Sequence, residues 1–278
     1  MGRVTRRHAV LRVGPEQMIR RSDTLAVEEP LEIRLNGEPF LVTMRTPGSD
    51  IDLVHGLLYS EDIVADRSDI ALARYCAGSD TDGVNSYNVL DVTLASHVSA
   101  STAVRRNVVM SGACGICGTT TIEQVLRESR YGVTDGVGVP AELVLTAPMR
   151  LREHQRAFDQ TGGLHAAGLL GLDSEMLCVR EDVGRHNAVD KVIGWAIREQ
   201  LLPLRQMILA VSGRASFELT QKAVLAGIPV LAAVSAPSSL AAELAEAAGL
   251  TLVGFVRGET MNVYTHPERI VGLSARPN

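Results

Sequence analysis

Leu31, Ile33 and Leu35 alternate with polar residues, Asn36-Gly37 follows, and Phe40, Val42 and Met44 resume the alternation. Two period-2 runs joined by Asn-Gly predict a β-hairpin, because both turn positions need positive φ and these residues tolerate it best. This reads as the first ordered element. A helix is predicted from Ser49, with Asp52 three residues on as a loose capping-box analogue and Ile51, Val54, Leu57 and Leu58 on one face. Residues 67–84 are polar and carry no legible period. Tyr87 to Leu94 returns to strand alternation through Leu90, Val92 and Leu94. Residues 96–107 lead into the glycine-rich segment 111–118. Thr120 and Glu123 then form a capping box for a short helix with Ile122, Val125 and Leu126 inward. Residues 132–139 read as a mobile connector.

Beyond residue 148 the pattern changes. Pro148 is placed in the first turn of a helix near 149–160 that ends at Gly162-Gly163. Short apolar runs at 164–170 and 176–180 flank a Gly-Leu-Asp turn. An amphipathic helix carries Ala188, Val189, Val192, Ile193, Ala196 and Ile197 on its apolar side. Buried-type strands then recur about every 22 residues, at 207–211, 230–234 and 252–256, with helices at 216–226 and 238–248 stopped by Gly227 and Gly249. Short, fully apolar strands alternating with helices predict parallel β-α-β units. The expected fold class is α/β: an N-terminal α+β domain with a hairpin over 1–147, then a three-layer α/β/α domain over 148–278.

Composition narrows the functional classes. With 278 residues and 46% hydrophobic content the chain can bury a large core, built mostly from Ala, Val, Leu and Ile because aromatics are only 4%. A net charge of -5 argues against binding a long nucleic acid through its phosphates, but leaves room for a small anion held by a few arginines. No apolar run is long enough to span a membrane. The N-terminus is basic, yet no apolar signal core follows Arg6-Arg7, so a cytoplasmic protein is expected.

Four cysteines, Cys76, Cys114, Cys117 and Cys178, are too few for a disulfide scaffold in a chain of this size. Cys178 lies in an apolar run and reads as a buried core thiol. Cys114 and Cys117 lie in Ser-Gly-Ala-Cys-Gly-Ile-Cys-Gly, where glycines 112, 115 and 118 give backbone freedom and leave both sulfurs uncovered. The helix predicted just after the loop directs its positive end at them, which favours thiolate. A persulfide carrier needs these properties. Other readings stay open: a zinc site would need two further ligands, which His165, His186 or Cys178 would have to supply in space. A thioredoxin-like redox pair fits the context only in part.

Ligands of parallel α/β sheets bind beyond the carboxyl ends of the strands. Those ends carry Ser212-Gly213-Arg214-Ala215-Ser216, Ser235-Ala236-Pro237-Ser238-Ser239 and Arg257-Gly258-Glu259-Thr260. The first two open helices, and together the loops suit a phosphate cradle with Arg214 and Arg257 as charge partners and Glu259 as acceptor for a guanine N–H. Taken singly, each loop is better explained by serine caps and glycine turns; three on one rim, two with an arginine, favour nucleotide or dinucleotide binding. The run Glu-Asp-Val-Gly-Arg-His-Asn-Ala-Val-Asp-Lys, 181–191, crosses from a strand into the amphipathic helix. His186 there reads equally as catalytic or structural, and Asp190 and Lys191 as decoration of the helix surface.

The Cys-Gly-Ile-Cys-Gly loop, the 181–191 run, Ser-Gly-Arg-Ala-Ser-Phe-Glu, Ala-Gly-Ile-Pro-Val and Phe-Val-Arg-Gly-Glu-Thr together resemble the FdhD family of formate dehydrogenase accessory proteins, from about Pro30 onward. The resemblance implies a sulfurtransferase: a sulfur carrier between a cysteine desulfurase and the bis-molybdopterin guanine dinucleotide form of the molybdenum cofactor, serving formate dehydrogenase as a cytoplasmic homodimer. It implies Cys114 as the persulfide-bearing residue and Cys117 as its partner. It places Phe255, Val256, Arg257, Gly258, Glu259 and Thr260 in the cofactor site, in agreement with the rim that also holds Ser212, Gly213 and Arg214. Guanine nucleotides would be partial mimics of the cofactor. A cofactor-binding chaperone of apo-formate dehydrogenase, stabilised by zinc or thiols and without sulfur transfer, is the rival expectation. The C-terminal fold order is also similar to cytidine deaminases, but His186-Asn187-Ala188 lacks their glutamate and 212–216 lacks their cysteines, which excludes deamination.

Overall fold

A computed structural model describes residues 4–76, 87–98, 129–132 and 136–272. The cysteine loop with Cys114 and Cys117, and the short helix expected after it, lie outside the described residues. The connector expected over 132–139 does so in part.

The Asn36-Gly37 turn joins β3 (Glu29–Leu35) to β4 (Glu38–Arg45), with φ of 51° and 87° as a two-residue hairpin turn requires. The turn is also anchored sideways: the Leu94 N–H donates to the Asn36 side-chain oxygen at 2.9 Å. An antiparallel hairpin precedes it, β1 (Thr5–Val13) with β2 (Met18–Ala26). The expectation that the 31–44 hairpin comes first is therefore corrected. β5 (Ile70–Tyr75), from the stretch without a period, and β6 (Val89–Leu94) complete a four-stranded sheet of order β4-β3-β6-β5, in which β3 and β6 are parallel.

Helix α1 (Asp50–Ser60) buries Leu53, Val54, Leu57 and Leu58. Its entry residue Ser49 sits at φ 54° and makes no side-chain cap, and the Asp52 carboxylate turns instead to Arg180, at 2.8 Å, and to Arg198. The capping-box analogue is corrected accordingly: an ion pair with the C-terminal half outcompetes a local cap.

The second sheet has six strands in the order β13-β12-β11-β10-β8-β9: β8 (His165–Gly171), β9 (Met176–Asp182), β10 (Met207–Val211), β11 (Val230–Ala233), β12 (Thr251–Arg257) and β13 (Thr260–Val263). β10, β11 and β12 run parallel as expected, and the flanking pairs are antiparallel. Alternation along the strands loads both faces. Ile208, Ala210, Val230, Ala232 and Val253 pack with Leu143, Val144, Ala147 and Leu151 of α2 (Ala141–Glu153). Leu209, Val211, Leu231, Ala233 and Leu252 face α4 (Arg185–Arg198), α5 (Phe217–Leu225) and α6 (Ser239–Ala248). The helix expected near 149–160 is corrected to two, α2 and α3 (Arg156–Thr161), with Pro148 inside α2 rather than in a first turn. Gly227 and Gly249 end their helices at φ of 70° and 74°. A short parallel pair, β7 (Val139–Pro140) with β14 (Ile270–Val271), closes the end of the described chain.

α1 and α4 join the halves. A Cβ on Gly56 would lie 1.9 Å from the Asp190 carbonyl oxygen, and one on Gly194 would lie 1.8 Å from that of Asp52. Only glycine permits so close a backbone crossing. Consequently one hydrophobic cluster runs unbroken from Leu31, Ile33 and Leu90 of the first sheet, through Val54 and Ile193, to Leu209 and Leu231 of the second.

Candidate functional site

The carboxyl ends of β9, β10, β11 and β12 and the start of β8 meet at one rim. The Ser235 N–H donates to the Gly213 carbonyl at 3.3 Å, the Ser238 N–H to the Ala215 carbonyl at 3.1 Å, and the Phe255 N–H to the Ser235 carbonyl at 3.3 Å. The three predicted loops are thus stitched side by side. Helices α4, α5 and α6 all begin there. Ser238 caps α6 through the Ala241 N–H at 3.2 Å, whereas Gly184 and Ser216 give α4 and α5 no side-chain cap. Uncapped first-turn N–H groups carry the positive end of a helix dipole toward the rim.

The serines have divided duties. Ser212 is structural, because its hydroxyl accepts the Ala166 N–H at 2.9 Å and ties β10 to β8. Ser216 stands 3.4 Å from the imidazole Nε2 of His186. Gly213 is bare backbone between two side chains: a Cβ there would meet His165 Nδ1 at 3.3 Å and Arg185 Cδ at 4.0 Å.

The 181–191 run separates into a structural and an outward-facing set. Glu181 accepts the Ala157 and Phe158 N–H groups at 2.9 and 2.8 Å and so caps α3. Asp182 is fully buried and pairs with Lys191 at 2.7 Å. Asn187 donates to the Met44 carbonyl at 2.8 Å. Asp190 is buried against Lys222 and Ser60. Asp190 and Lys191 are therefore corrected from surface decoration to interior charges that bind α4 to α5 and to the β4–α1 connection. Their spacing on an amphipathic helix looked solvated only because their partners lie elsewhere in the chain. Arg185 and His186 remain for the rim.

The rim is electropositive. Arg185 and Arg214 make no ion pair among the described residues, while Arg45, Arg180, Arg198, Lys191 and Lys222 all do. Burial, and then the neighbouring charges of Arg185, His186 and Arg214, push His165 below the ordinary histidine value. Glu218, in the first turn of α5, lies 2.7 Å from His186 Nε2. Its burial alone would raise the carboxyl, but the hydrogen bond and charge of His186, with Lys222 and Arg185 behind, hold it below the usual carboxylate range. His186 engages one oxygen of this acid, and the other, Oε1, is buried without a hydrogen-bond partner among the described residues.

The predicted segment 255–260 lies on the β12–β13 hairpin. β12 outruns its neighbours: its pairing with β11 ends at Val253, and Arg257 turns back to pair with Thr260. Phe255 sits at φ 52°, in a bulged stretch, with an exposed ring. Gly254 is forced by close approach, since a Cβ would come within 3.0 Å of both Pro237 Cδ and the Ser235 carbonyl. Val256 is buried in the core beneath α2, while Arg257, Gly258, Glu259 and Thr260 are exposed. Arg257 stands two residues beyond Phe255, past the end of the pairing with β11, and is exposed.

Sequence reasoning named His165 only as a possible zinc ligand and gave Arg185 and Glu218 no place at the rim. His165 follows Gly162-Gly163 with no partner in view, and Glu218 reads as an ordinary first-turn acid. Only the antiparallel register that sets His165 against Asp182 brings the first of them to the rim. Of the thiols, Cys178 is buried in mid-strand and burial pushes it up to about 12, so it stays protonated. Cys76 is half-buried at the end of β5. Among the described residues no cluster of His, Cys, Asp and Glu is arranged to hold a metal, and no helix is long and apolar enough to cross a membrane.

Comparison with known proteins places this geometry. The model of the FdhD/NarQ family matches residues 26–271. The sulfur carrier protein FdhD of Nocardia farcinica is 58% identical over 275 residues, covering 99% of this chain and 98% of that protein. The proteins of the same name from Mycolicibacterium paratuberculosis and Streptomyces coelicolor are 56% and 54% identical, covering 96% and 97% of this chain and 99% and 97% of theirs. A crystal structure from Desulfotalea psychrophila, of a protein put forward as a formate dehydrogenase accessory protein, superposes with a TM-score of 0.78 at 22% identity over 97% of this chain and 100% of that one. Matched over nearly its whole length in sequence and in fold, the chain belongs to the FdhD/NarQ family.

Proposed function

We propose that this chain is a sulfur carrier that takes sulfane sulfur from a cysteine desulfurase onto Cys114 and delivers it to the bis-molybdopterin guanine dinucleotide cofactor destined for formate dehydrogenase, acting as a cytoplasmic homodimer. The observation that carries the reading is the rim. Three helix N-termini, the bare backbone of Gly213 and arginines without acidic partners among the described residues suit the anionic arms of a dinucleotide. The parallel order of β10, β11 and β12 is consistent with the likeness to cytidine deaminases, whose catalytic residues this chain lacks. Relatives named sulfur carriers support thiol chemistry, for which the Cys114–Cys117 pair is the proposed seat.

In this reading the Cys114 thiolate attacks the outer sulfur of the donor persulfide. The donor S–S bond breaks, the donor cysteine leaves as thiolate, and Cys114 keeps the sulfane sulfur as a persulfide with no net redox change. For release, Cys117 thiolate attacks the Cys114 Sγ. A Cys114–Cys117 disulfide forms and the outer sulfur departs as sulfide toward the acceptor. The pair supplies the two electrons, and a dithiol reductant restores both thiols. The rim residues bind and orient the acceptor, so that transfer gains from proximity rather than from acid-base chemistry.

The test is peptide mass spectrometry after incubation with a cysteine desulfurase and cysteine. One added sulfur on Cys114 or Cys117, removed by a reductant, is expected. Unmodified free thiols at both positions would turn the assignment to a cofactor-binding chaperone.

A further inference from the structure

We propose that the β1–β2 hairpin is a docking arm for an acidic protein face, and that its partner is formate dehydrogenase in the cofactor-free form that receives what the chain prepares. The inference rests on the proposed function and goes beyond it by naming the surface that meets the recipient enzyme.

Most of the arm has nothing beneath it. β1 and β2 pair without a bulge from Thr5 opposite Ala26 to Val13 opposite Met18, a ribbon about 30 Å long. Every residue from Leu11 to Ser22 is exposed. The root is seated: Val4 and Thr5 line a cavity with Thr46, Arg156 and Ala157, and Ala26 comes within 4.0 Å of where a Cβ on Gly163 would lie. A two-stranded hairpin is marginally stable in water by itself. A ribbon of this length with no buried face is therefore suited to a surface outside the chain.

Its side chains say which kind of surface. Val10 lies opposite Arg21, Leu11 opposite Arg20 and Arg12 opposite Ile19, so both faces set an arginine beside an apolar residue. Leu11, Val13 and Met18 are each more than half exposed. The hairpin carries five arginines, no lysine and only two acids, Glu16 and Asp23, in a chain whose net charge is -5. Among the described residues, Arg21 is the one arginine of the five in an ion pair, with Asp23 at 3.6 Å. Arginine and methionine are enriched where proteins meet, and lysine is depleted. Charge of one sign speeds encounter with an acidic face and repels its own kind, so the arm of a second copy is a poor occupant. A long polyphosphate or an anionic bilayer would also meet the acidic remainder of the chain, whereas a protein contact is confined to the arm.

Location selects the partner. The root abuts Gly163, two residues ahead of His165, where β8 begins at the rim. A protein gripped by the arm is held beside the rim, where the recipient of the cofactor has to stand.

The experiment is biolayer interferometry of the full chain against purified cofactor-free formate dehydrogenase, at low and at high salt. Three variants accompany the wild type: Arg20→Glu with Arg21→Glu, Leu11→Ser with Met18→Ser, and Arg205→Glu, an exposed arginine ahead of β10, as a charge control. The double glutamate variant is expected to bind about tenfold or more weakly, chiefly through a slower on-rate, and wild-type affinity should fall as salt rises. The double serine variant should lose severalfold while keeping its salt dependence, and Arg205→Glu should match wild type. Loading of sulfur onto Cys114 by a cysteine desulfurase should be unchanged in all of them. Equal dehydrogenase affinity in the folded arm variants, or none in the wild type, overturns the proposal. Lost sulfur loading with dehydrogenase affinity intact would give the arm to the donor instead. Light scattering that shows only the arm variants falling to monomer, again with that affinity intact, would make the arm a contact between copies. Wild-type binding to phosphatidylserine vesicles, lost in arm variants that still bind the dehydrogenase, would make it a membrane contact. Absence of added sulfur on wild-type Cys114 sinks the carrier reading instead, and the arm is then judged on dehydrogenase affinity alone.

Discussion

The ammonium of Lys191 lies 2.7 Å from the Asp182 carboxylate, with both side chains sealed from solvent. Lys191 also donates to the Thr46 carbonyl at 2.8 Å, and Asp182 accepts the Thr46 N–H at 3.1 Å. A strand end, a helix and the β4–α1 connection are therefore fixed by one buried charge pair.

Removing one partner strands the other charge in the interior. Lys191→Met is expected to destabilise the fold by about 3–5 kcal/mol, read by urea unfolding. Adding Asp182→Asn should recover part of that loss. A single variant as stable as wild type would show that the pair contributes nothing.

The glycines at the α1–α4 crossing set a second expectation. With a Cβ arriving within 2 Å of a carbonyl on either side, Gly56→Ala and Gly194→Ala should each cost about 3 kcal/mol or more despite alanine's better helix propensity. Thermal melts that match wild type would mean that the helices part without penalty.

Cysteine substitutions should separate by role. Cys114→Ala is expected to abolish formate dehydrogenase maturation in a complementation assay while retaining guanine-nucleotide affinity. Cys178→Ala, a core thiol beside Leu169, should leave maturation intact and lower stability modestly. Loss of nucleotide affinity in Cys114→Ala would put the loop inside the pocket.

Acid sensitivity follows from two histidines. His55 is buried in α1, and its Nδ1–H donates to the Ile51 carbonyl at 2.8 Å. Burial chiefly, and then the charges of Arg198 and Arg67, push it below its ordinary value of 6.5. His165 is lowered in the same direction. A depressed histidine is neutral when folded, so the unfolded chain takes up protons first. Stability should therefore decline as pH falls below about 6.5 toward the folded values. Glu218 and Asp69, both held below the usual carboxylate range, contribute stability that is lost only at more acid pH. His55→Gln should flatten the decline between pH 7 and 5.5 in denaturant midpoints. An unaltered slope would assign that acid sensitivity to other groups.

What the chain made legible depended on whether an element had an inside. β3, β4, β10, β11 and the helices between them show clear periods because each buries one or both faces. The β1–β2 hairpin does not: Arg6, Arg7, Arg12, Arg20 and Arg21 lie along it, and Leu11, Val13, Met18 and Ile19 are exposed. With no buried face there is no alternation to read. Pro148 hid α2 by suggesting a start where the helix in fact passes through. In the candidate site, Gly213 and Arg214 were legible as a strand-to-helix loop, whereas the place of Arg185 and His165 beside them came only from the sheet order. Charged Asp190 and Lys191 were misread because a sequence gives the polarity of a side chain without its partner.

The described chain leaves the four-stranded sheet after β6 and resumes at residue 129, where Arg130 pairs with Asp62, with Cys114 and Cys117 between. Because the glycine crossing fuses both sheets into one core, the points of departure and return are fixed relative to the rim. Among the described residues no hinge separates the two sheets, so under the proposed function sulfur and acceptor must meet at a rim of fixed shape.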